Sequence, residues 1–259
     1  MIKPGVEYIP IKARKQEGPF DLSRVIVDEI SRVGEEIRDG DMLVIASKYV
    51  ALADGRFIKL DSVKVGRKGR TLAKKFAIQE NLAELVVRES KQVLGGIKGF
   101  ALCVKDGVLT PNAGIDKSNI FPGYVILHPK NPFEKARTVK EKIFESTGKK
   151  VGVIITDSRL MPLRLGTTGV ALGVAGIEPV KDERGRIDLF GKELMVTRRA
   201  LADDISAGAQ LLIGEADEAI PIVIVRPNGN FIEHTDRKLN KKDLSVPPGR
   251  CLYLSSLKK

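Results

Sequence analysis

The spacing of hydrophobic residues along the chain predicts a mixture of strands and helices. Short apolar runs are typical of buried strands, whereas apolar residues three and four positions apart are typical of helices. The runs predict strands at residues 8–12, 42–46, 100–104, 124–127, 151–156 and 220–225. The helical spacing predicts helices at residues 21–33, 71–94, 133–147 and 203–213. Because the two kinds of element mix without strict alternation, we expect an α+β or irregular α/β fold.

Nothing in the pattern marks a sharp domain boundary. The chain has 259 residues, enough for one large domain or two modest ones. No repeat, low-complexity segment or Pro/Ser-rich linker divides it, so we expect a single unit over residues 1–259 in which any boundary is soft. The longest apolar runs are too short to cross a bilayer, and the N-terminus has no signal-peptide pattern.

Cysteine and histidine usage narrows the class of protein. Cys103 and Cys251 are far apart and form no Cys-x-x-Cys pair, which is typical of buried thiols in a reducing compartment. The two histidines, His128 and His234, argue against a zinc site or a histidine-based triad. We therefore expect a cytoplasmic protein without structural zinc.

The formal net charge of +11 has two interpretations. It is typical of a solvated, thermophile-like surface rich in Lys, Arg and Glu. It also suits an anionic partner such as a nucleotide or a phosphorylated metabolite. Nucleic acid is the less favoured partner, because aromatics make up only 5% and none interleaves with a basic motif.

Three segments offer oxygen ligands for a hard cation such as Mg²⁺ or Mn²⁺. Asn112-Ala-Gly-Ile-Asp-Lys-Ser-Asn119 contains Asp116, and its alternative is an ordinary Asx/Ser turn. Val153-Ile-Ile-Thr-Asp-Ser158 ends an apolar strand with Asp157, where a sheet delivers ligands to a crevice, or where a helix cap or turn begins. Leu211-Leu-Ile-Gly-Glu-Ala-Asp-Glu218 has three carboxylates that can hold a cation or form a solvated acidic loop.

Two further segments suit an anionic ligand. The glycines of Pro162-Leu-Arg-Leu-Gly-Thr-Thr-Gly-Val-Ala-Leu-Gly173 permit close backbone approach, and Arg164 can clamp a carboxylate or phosphate. The alternative is tight packing inside a buried strand. Ser47 and Lys48 follow a strand and are placed for phosphate, or for a solvated strand end before a hairpin turn at Asp54-Gly55. Neither a P-loop nor a Rossmann fingerprint is present.

In their order and spacing these motifs resemble the coenzyme F420-0: γ-glutamyl ligase family. The similarity runs from the first strand to Arg226. Besides the three acidic segments it rests on Arg-x-Gly and Ala-x-Gly pairs, Asp188-Leu-Phe-Gly-Lys-Glu-Leu194 and Ala202-Asp-Asp. Each motif is modest in specificity, whereas their order is strong.

The resemblance implies an α+β fold of the family's own type. It has two intimately joined parts, mixed and antiparallel sheets with helices, and an intertwined homodimer. The implied reaction joins L-glutamate to the carboxylate of a deazaflavin precursor through an acyl phosphate. GTP is the implied co-substrate, with ATP as an alternative. The resemblance also implies two Mg²⁺ or Mn²⁺ ions that bridge the phosphates and neutralise their charge.

The resemblance also assigns residues. The implied metal ligands are Asp116, Asp157, Ser158 and Glu215. The implied nucleotide contacts are Ser47, Lys48, Asn119, Gly214, Glu215, Ala216 and Asp217. The implied catalytic residues are Arg164, near the reacting phosphate, and Asp157.

The chain departs from the family pattern around the substrates. Leu52 stands where the family has a nucleotide-contacting lysine, and Met161 stands where it has an arginine. Lys48 would compensate for Leu52 if both lie on one strand face two pleats apart. The loop at residues 13–20 is also unusual. These changes favour a divergent ligase with another acceptor, such as a folate-like or pterin-type carboxylate, or a non-catalytic homologue that binds a nucleotide or phosphorylated metabolite.

Overall fold

The computed structural model describes residues 5–229 and 232–256. In chain order its helices and strands are β1 (Gly5–Ile11), α1 (Leu22–Arg32), β2 (Met42–Ala46), α2 (Ser47–Ala53), β3 (Phe57–Lys59), α3 (Arg67–Phe76), α4 (Glu80–Glu89), β4 (Gln92–Ile97), β5 (Phe100–Lys105), β6 (Val108–Pro111), β7 (Tyr124–Ile126), α5 (Pro132–Thr147), β8 (Gly152–Leu160), β9 (Thr167–Ala175), β10 (Lys181–Asp182), β11 (Arg198–Arg199), α6 (Leu201–Ile213), β12 (Ile222–Asn228) and α7 (Leu252–Ser256). The predicted α+β class is confirmed.

The chain divides into two compact units. Unit 1 comprises Asp21–Ala46 together with the described parts of residues 1–15 and 131–244. Unit 2 comprises Gln16–Phe20, Ser47–Lys130 and the described part of residues 245–259.

Unit 1 is built on a five-stranded sheet in the order β1-β12-β2-β8-β9. Strands β2 and β8 run parallel, and the other neighbours are antiparallel. The central strands are apolar on both faces, as expected of strands covered on both sides. The core cluster that includes α6 comprises Met42, Val44, Ile154, Ala171, Val174, Ile177, Ala202, Ile205, Ala209, Val223, Val225 and Leu239.

Unit 2 combines helices α3 and α4 with two small antiparallel sheets. One sheet has the order β4-β5-β6, and the other pairs β3 with β7. Its core draws on both helices and both sheets, with Phe76, Leu85, Val86, Cys103 and Val125 among the buried side chains. The predicted burial of Cys103 is confirmed, whereas Cys251 is only half-buried, and both thiols are free.

Several predicted elements are confirmed nearly to the residue. Helix α1 starts after Asp21, whose carboxylate accepts the backbone N–H groups of Ser23 and Arg24. Helix α5 ends at Gly148, which has a positive φ of 70°. Among the described residues, no helix is both long and apolar enough to span a bilayer.

The single helix predicted over residues 71–94 is wrong. Ala77 adopts a left-handed conformation (φ 52°) and ends α3, and α4 begins only at Glu80. Residues 92–97, including the two glycines expected to break the helix, form β4 against β5. Pairing with a neighbouring strand overrides the local helical spacing there.

Three other boundaries also differ from prediction. The strand predicted to end at Thr156 continues to Leu160, because β9 supplies a pairing partner along its whole length. Residues 47–53 form helix α2 rather than a strand end. The predicted polar tail after residue 225 contributes to the core of unit 1, where Leu239 is buried.

Candidate functional site

In unit 2, an aspartate and a lysine from different elements form a short ion pair. Lys48, near the start of α2, places its Nζ 2.6 Å from Oδ2 of Asp116. The same Nζ donates to the Ser118 hydroxyl at 2.7 Å. The Ser118 backbone N–H donates to Oδ1 of Asp116 at 2.7 Å, which is the Asx turn anticipated as the alternative to a ligand loop. Two predicted site residues, Lys48 and Asp116, therefore meet here, and Ser118 bonds to both.

The Asp116 side chain stays ionised and reachable. Burial raises its pKa, but the hydrogen bond from Lys48 and the Ser118 N–H outweigh burial, so that the pKa lies below its ordinary value. The side chain is 40% exposed. A charged carboxylate at an accessible position can bind a cation.

The turn before Asp116 has an unusual backbone. Asn112, Ala113 and Gly114 have positive φ values of 48°, 55° and 71°. The Asn112 side chain accepts the Ala101 N–H at 2.9 Å. A Cβ on Gly114 would lie 2.0 Å from Nε2 of His128, so only glycine fits. Tertiary contacts therefore hold this loop in a conformation that costs free energy locally.

Lys48 and Leu52 were expected to share one face of a strand, but they share one face of a helix instead. The two residues lie on helix α2, so the strand-pleat argument is wrong. They are four positions apart on a helix, and such residues share a face. Ser47 is buried at the start of α2, and Asn119 is exposed with a φ of 54°.

In unit 1, Asp157 and Ser158 lie within the β8–β9 hairpin rather than after a strand. Asp157 is opposite Val170, and Ser158 is opposite Gly169. Successive residues of a strand point to opposite faces. Ser158 therefore shares the face of Gly169 and Thr167, whereas Asp157 lies on the other face.

Glu215 lies just after α6, where Gly214 ends the helix with φ 68° and ψ −166°. Its Oε1 accepts the Thr167 hydroxyl at 2.8 Å and the Gln210 side-chain amide at 3.1 Å. Because Thr167 and Ser158 lie on one face of the hairpin, the structure brings Ser158 and Glu215 to the same side of it.

In the loop from Gly214 to Glu218, backbone N–H groups bond to the carboxylate of Glu218, a side chain of the same loop. The Glu218 carboxylate accepts the Ala216 N–H at 2.8 Å, and it fills the space beside Gly214, where a Cβ would lie 2.1 Å from Cδ. The backbone N–H groups of Glu218, Ala216 and Glu215 lower the pKa of this carboxyl. Backbone donors that converge on a carboxylate also suit a phosphate.

Arg164 lies in the exposed loop between β8 and β9, where its backbone N–H donates to the Met161 carbonyl at 3.2 Å. Asp217 is exposed in the loop after α6. The glycine-rich segment forms β9, so the packing alternative holds for Gly169 and Gly173. A Cβ on Gly169 would lie 2.2 Å from the Ser206 carbonyl oxygen, and one on Gly173 would lie 2.3 Å from the backbone of Pro132.

Across the part of the chain that the structure describes, no three His, Cys, Asp or Glu side chains are grouped so as to hold a metal ion. Asp116 lies in unit 2, and Asp157 and Glu215 lie in unit 1.

Comparison with known proteins decides the family. Residues 11–227 match the model of the F420-0:Gamma-glutamyl ligase family. A coenzyme F420:L-glutamate ligase of Methanopyrus kandleri is 36% identical over 249 residues, covering 96% of this chain and 96% of the relative. The enzyme of the same name from Methanocaldococcus jannaschii is 41% identical over 199 residues, covering 75% of this chain and 80% of the relative.

The chain belongs to the F420-0:gamma-glutamyl ligase family. The match covers most of both units, so the resemblance seen in the motifs is confirmed, as is the prediction of an enzyme of the ligase class. A coenzyme F420:L-glutamate ligase of Archaeoglobus fulgidus, 36% identical over 223 residues (85% of this chain and 87% of the relative), agrees with this assignment.

Sequence reasoning missed several residues that hold the site of this ligase-family chain. Thr167 and Gln210 bind Glu215, and Asp203 accepts a backbone N–H from β9. Asp203 carried a signal only as part of the Ala-Asp-Asp motif. Thr167 carried none, because its contact forms only when β9 pairs with β8.

Proposed function

We propose that this protein joins L-glutamate to a carboxylate acceptor, F420-0 or a related molecule, and uses GTP or ATP to drive amide formation. The observation that carries the proposal is the retained acidic set of Asp116, Asp157 and Glu215 in a chain that matches the family from residue 11 to 227. Relatives that cover most of the chain bear the name coenzyme F420:L-glutamate ligase.

The proposed chemistry has two steps. A carboxylate oxygen of the acceptor attacks the γ-phosphorus of the nucleotide, the bond to the β-phosphate oxygen breaks, and the diphosphate leaves. The amine of glutamate then attacks the acyl carbon, loses a proton, and expels inorganic phosphate. The protein forms no covalent bond in either step, so its contribution is positioning and charge stabilisation.

The oxygen donors fit a hard divalent cation rather than zinc. We assign Asp116, Asp157, Ser158 and Glu215 as the residues that would bind two Mg²⁺ or Mn²⁺ ions. Within unit 1, the hairpin geometry supports different ions for different ligands, because Ser158 and Glu215 lie on one face of the hairpin and Asp157 lies on the other. When bound, such ions neutralise charge on the nucleotide phosphates.

We assign nucleotide binding to groups that already bind anions in each unit. In unit 2, the Lys48 ammonium is beside Asp116. Ser47 directly precedes Lys48 in the sequence, and Asn119 follows Asp116 by three positions. In unit 1, we assign the loop that contains Gly214, Glu215, Ala216 and Asp217, because the backbone N–H groups of Glu215 and Ala216 in it already interact with the Glu218 carboxylate. Arg164, in the exposed β8–β9 loop, is the proposed clamp on the transferred phosphate.

A homodimer is part of the proposal. In unit 1, the segment between β10 and β11 exposes large apolar side chains, with Leu189 98% and Phe190 94% exposed. Apolar side chains this exposed are typical of a surface that another chain covers. If a second copy covers them, light scattering will give twice the chain mass, and Phe190→Asp will lower it to that of a monomer. A monomeric parent protein would contradict this part of the proposal.

The test of the proposed function is nucleotide binding and turnover. We expect GTP or ATP to raise the melting temperature in the presence of Mn²⁺, since a ligand that binds only the folded state stabilises it. We also expect nucleotide hydrolysis to increase when glutamate and acceptor are both present. A melting temperature that neither nucleotide changes in Mn²⁺ would contradict the proposal.

The second candidate is a non-catalytic homologue that binds a nucleotide or phosphorylated metabolite. The observation that favours it is the loss of two family cations, at Leu52 and at the exposed Met161. This candidate predicts a nucleotide-induced rise in melting temperature without stimulated hydrolysis, which separates it from the ligase.

A further inference from the structure

Strand β9, which lies opposite Ser158, is joined to helix α6 by two contacts. A bulge interrupts the β8–β9 pairing, because Ile155 is opposite Gly173 while Thr156 is opposite Ala171. Leu172 is therefore an extra residue in β9. The bulge changes which face each residue of β9 occupies. As a result Gly169 meets α6, whereas Gly173, four positions on, meets α5.

The first contact uses Asp203 in the opening turn of α6. Its Oδ1 accepts the backbone N–H of Ala171 at 2.9 Å, at the bulge itself. Burial raises the pKa of the Asp203 carboxyl, and the Ala171 N–H and the nearby charge of Arg159 offset that effect only in part. The hydrogen bond is therefore made in a poorly solvated place, where losing it is costly.

The second contact is the close approach of two backbones. Gly169 of β9 lies so near the Ser206 carbonyl that a Cβ would come within 2.2 Å of its oxygen. Ser206 is fully buried. Neither group can retreat without moving α6 or β9, so the pair sets the distance between the helix and the hairpin.

Both contacts lead to the proposed ligands. Ser158 lies directly opposite Gly169, and Glu215 immediately follows the helix that begins at Leu201. Thr167, two residues before Gly169 and on the same face, donates to Glu215. The spacing of Ser158 and Glu215 thus depends on how α6 is seated on β9.

We infer that Asp203 and Gly169 are positioning residues that hold Ser158 and Glu215 at the separation needed for one divalent cation, an inference that rests on the proposed metal site. Groups that orient metal ligands without touching the metal typically contribute 10- to 100-fold in affinity. Asp203→Ala should therefore weaken Mn²⁺ binding by about tenfold. Asp203→Asn keeps an oxygen that can accept the Ala171 N–H, so it should restore most of the affinity.

The experiment measures Mn²⁺ binding to the full chain by the EPR signal of unbound Mn²⁺, and hydrogen exchange of the Ala171 amide. The matched control is Asp204→Ala, which removes the same charge from an exposed neighbour on the same helix and should bind as the parent does. The Ala171 amide should exchange faster in Asp203→Ala than in the parent, and at the parent rate in Asp203→Asn. Gly169→Ala should weaken Mn²⁺ binding more than Asp203→Ala does.

The outcomes separate the inference from the proposed function. A parent protein that binds no Mn²⁺ overturns the metal site, and the inference with it. A parent that binds Mn²⁺ and loses that binding in Glu215→Gln, while Asp203→Ala binds normally, overturns the inference alone. Equal weakening in Asp203→Asn and Asp203→Ala also overturns it, because the hydrogen-bond acceptor would then be irrelevant. If Asp203→Ala fails to fold, Gly169→Ala decides: weaker Mn²⁺ binding than in the parent supports the inference, and equal binding overturns it.

Discussion

The two units hold their acidic residues in opposite ways. In unit 2, Asp116 accepts a hydrogen bond from the ammonium of Lys48 at 2.6 Å. In unit 1, Glu215 accepts hydrogen bonds from two neutral groups, the Thr167 hydroxyl and the Gln210 amide. A cation therefore balances the first carboxylate, whereas dipoles orient the second. An ion pair therefore holds the carboxylate in unit 2, and neutral hydrogen-bond donors hold the one in unit 1, so the two carboxylates should respond differently to mutation.

The largest expected loss of activity comes from changing Asp157, the metal ligand that we propose in unit 1. Asp157→Asn keeps the size of the side chain and removes its charge, so we expect glutamate incorporation to fall by about 10³-fold. The control is Asp28→Asn, on the exposed side of α1 and paired only loosely with Arg24 at 3.7 Å. An Asp157→Asn protein that folds and retains more than half of the parent rate would show that this carboxylate has no role in the reaction.

A second effect should appear at the turn that carries Glu215. Gly214 has φ 68° and ψ −166°, a region that only glycine adopts readily, and a Cβ would meet the Glu218 carboxyl. Gly214→Ala should lower the free energy of unfolding by about 1–3 kcal/mol, measured by urea denaturation. Gly148→Ala is the control, because Gly148 also ends a helix but has the ordinary left-handed conformation (φ 70°, ψ 4°), and nothing lies within 4 Å of an added Cβ. Equal losses in the two variants would contradict the extra cost expected at Gly214.

The lysine of unit 2 should matter for nucleotide affinity. Replacing Lys48 by Met removes an ammonium that we assign to the nucleotide, and a charged hydrogen bond contributes about 1.5–3 kcal/mol. The KM for GTP should therefore rise by about tenfold or more, with a smaller change in kcat. Steady-state kinetics at saturating glutamate and acceptor measure both. A change in kcat alone would place Lys48 in the chemical step instead.

The same ion pair gives a pH-dependent effect on stability. The pKa of Asp116 lies below its ordinary value of 3.8, so the pair stabilises the fold above about pH 4 and ceases to do so as the pH falls through the lowered pKa. The parent should therefore melt above Lys48→Met at neutral pH, and the difference should vanish in acid. Since the carboxylate is 40% exposed, the contribution stays below about 1 kcal/mol. A difference that grows in acid would contradict the direction of the shift.

The smallest effect is expected from Leu52→Lys, which restores the lysine that the family has at this position. Lys48 and Leu52 lie one helical turn apart on α2, so Leu52→Lys places a second cation on the face of the first. We expect a several-fold lower KM for GTP. An unchanged KM would show that the nucleotide does not pass over this face.

The sequence predicted the elements whose signals are local. Asp21 and Gly148 mark helix ends through side-chain capping and left-handed backbone, and both were located correctly. What depends on strand pairing was not predictable. The hydrophobic period alone predicts a helix that continues to residue 94 and a strand that ends at Thr156, because it carries no information on which strand lies alongside.

The candidate site shows the same division. The oxygen donors and the order of the motifs single out Asp116, Asp157 and Glu215, and their role as ligands stays a prediction. Thr167 donates to Glu215, and Asp203 accepts the backbone N–H of Ala171, and both contacts join segments that are apart in sequence, so only the folded hairpin and helix reveal them.

The most direct test of glutamate ligation is the mass of the acceptor after incubation with the purified protein, L-glutamate, GTP and Mn²⁺. The predicted result is an acceptor that gains one or more glutamyl residues, with one GDP and one phosphate released for each, and no gain in the Asp157→Asn variant. An unchanged mass for F420-0, for F420 already carrying glutamate and for pterin-type carboxylates, under conditions in which the parent binds GTP and Mn²⁺, would contradict the assignment of this chain as a glutamate ligase.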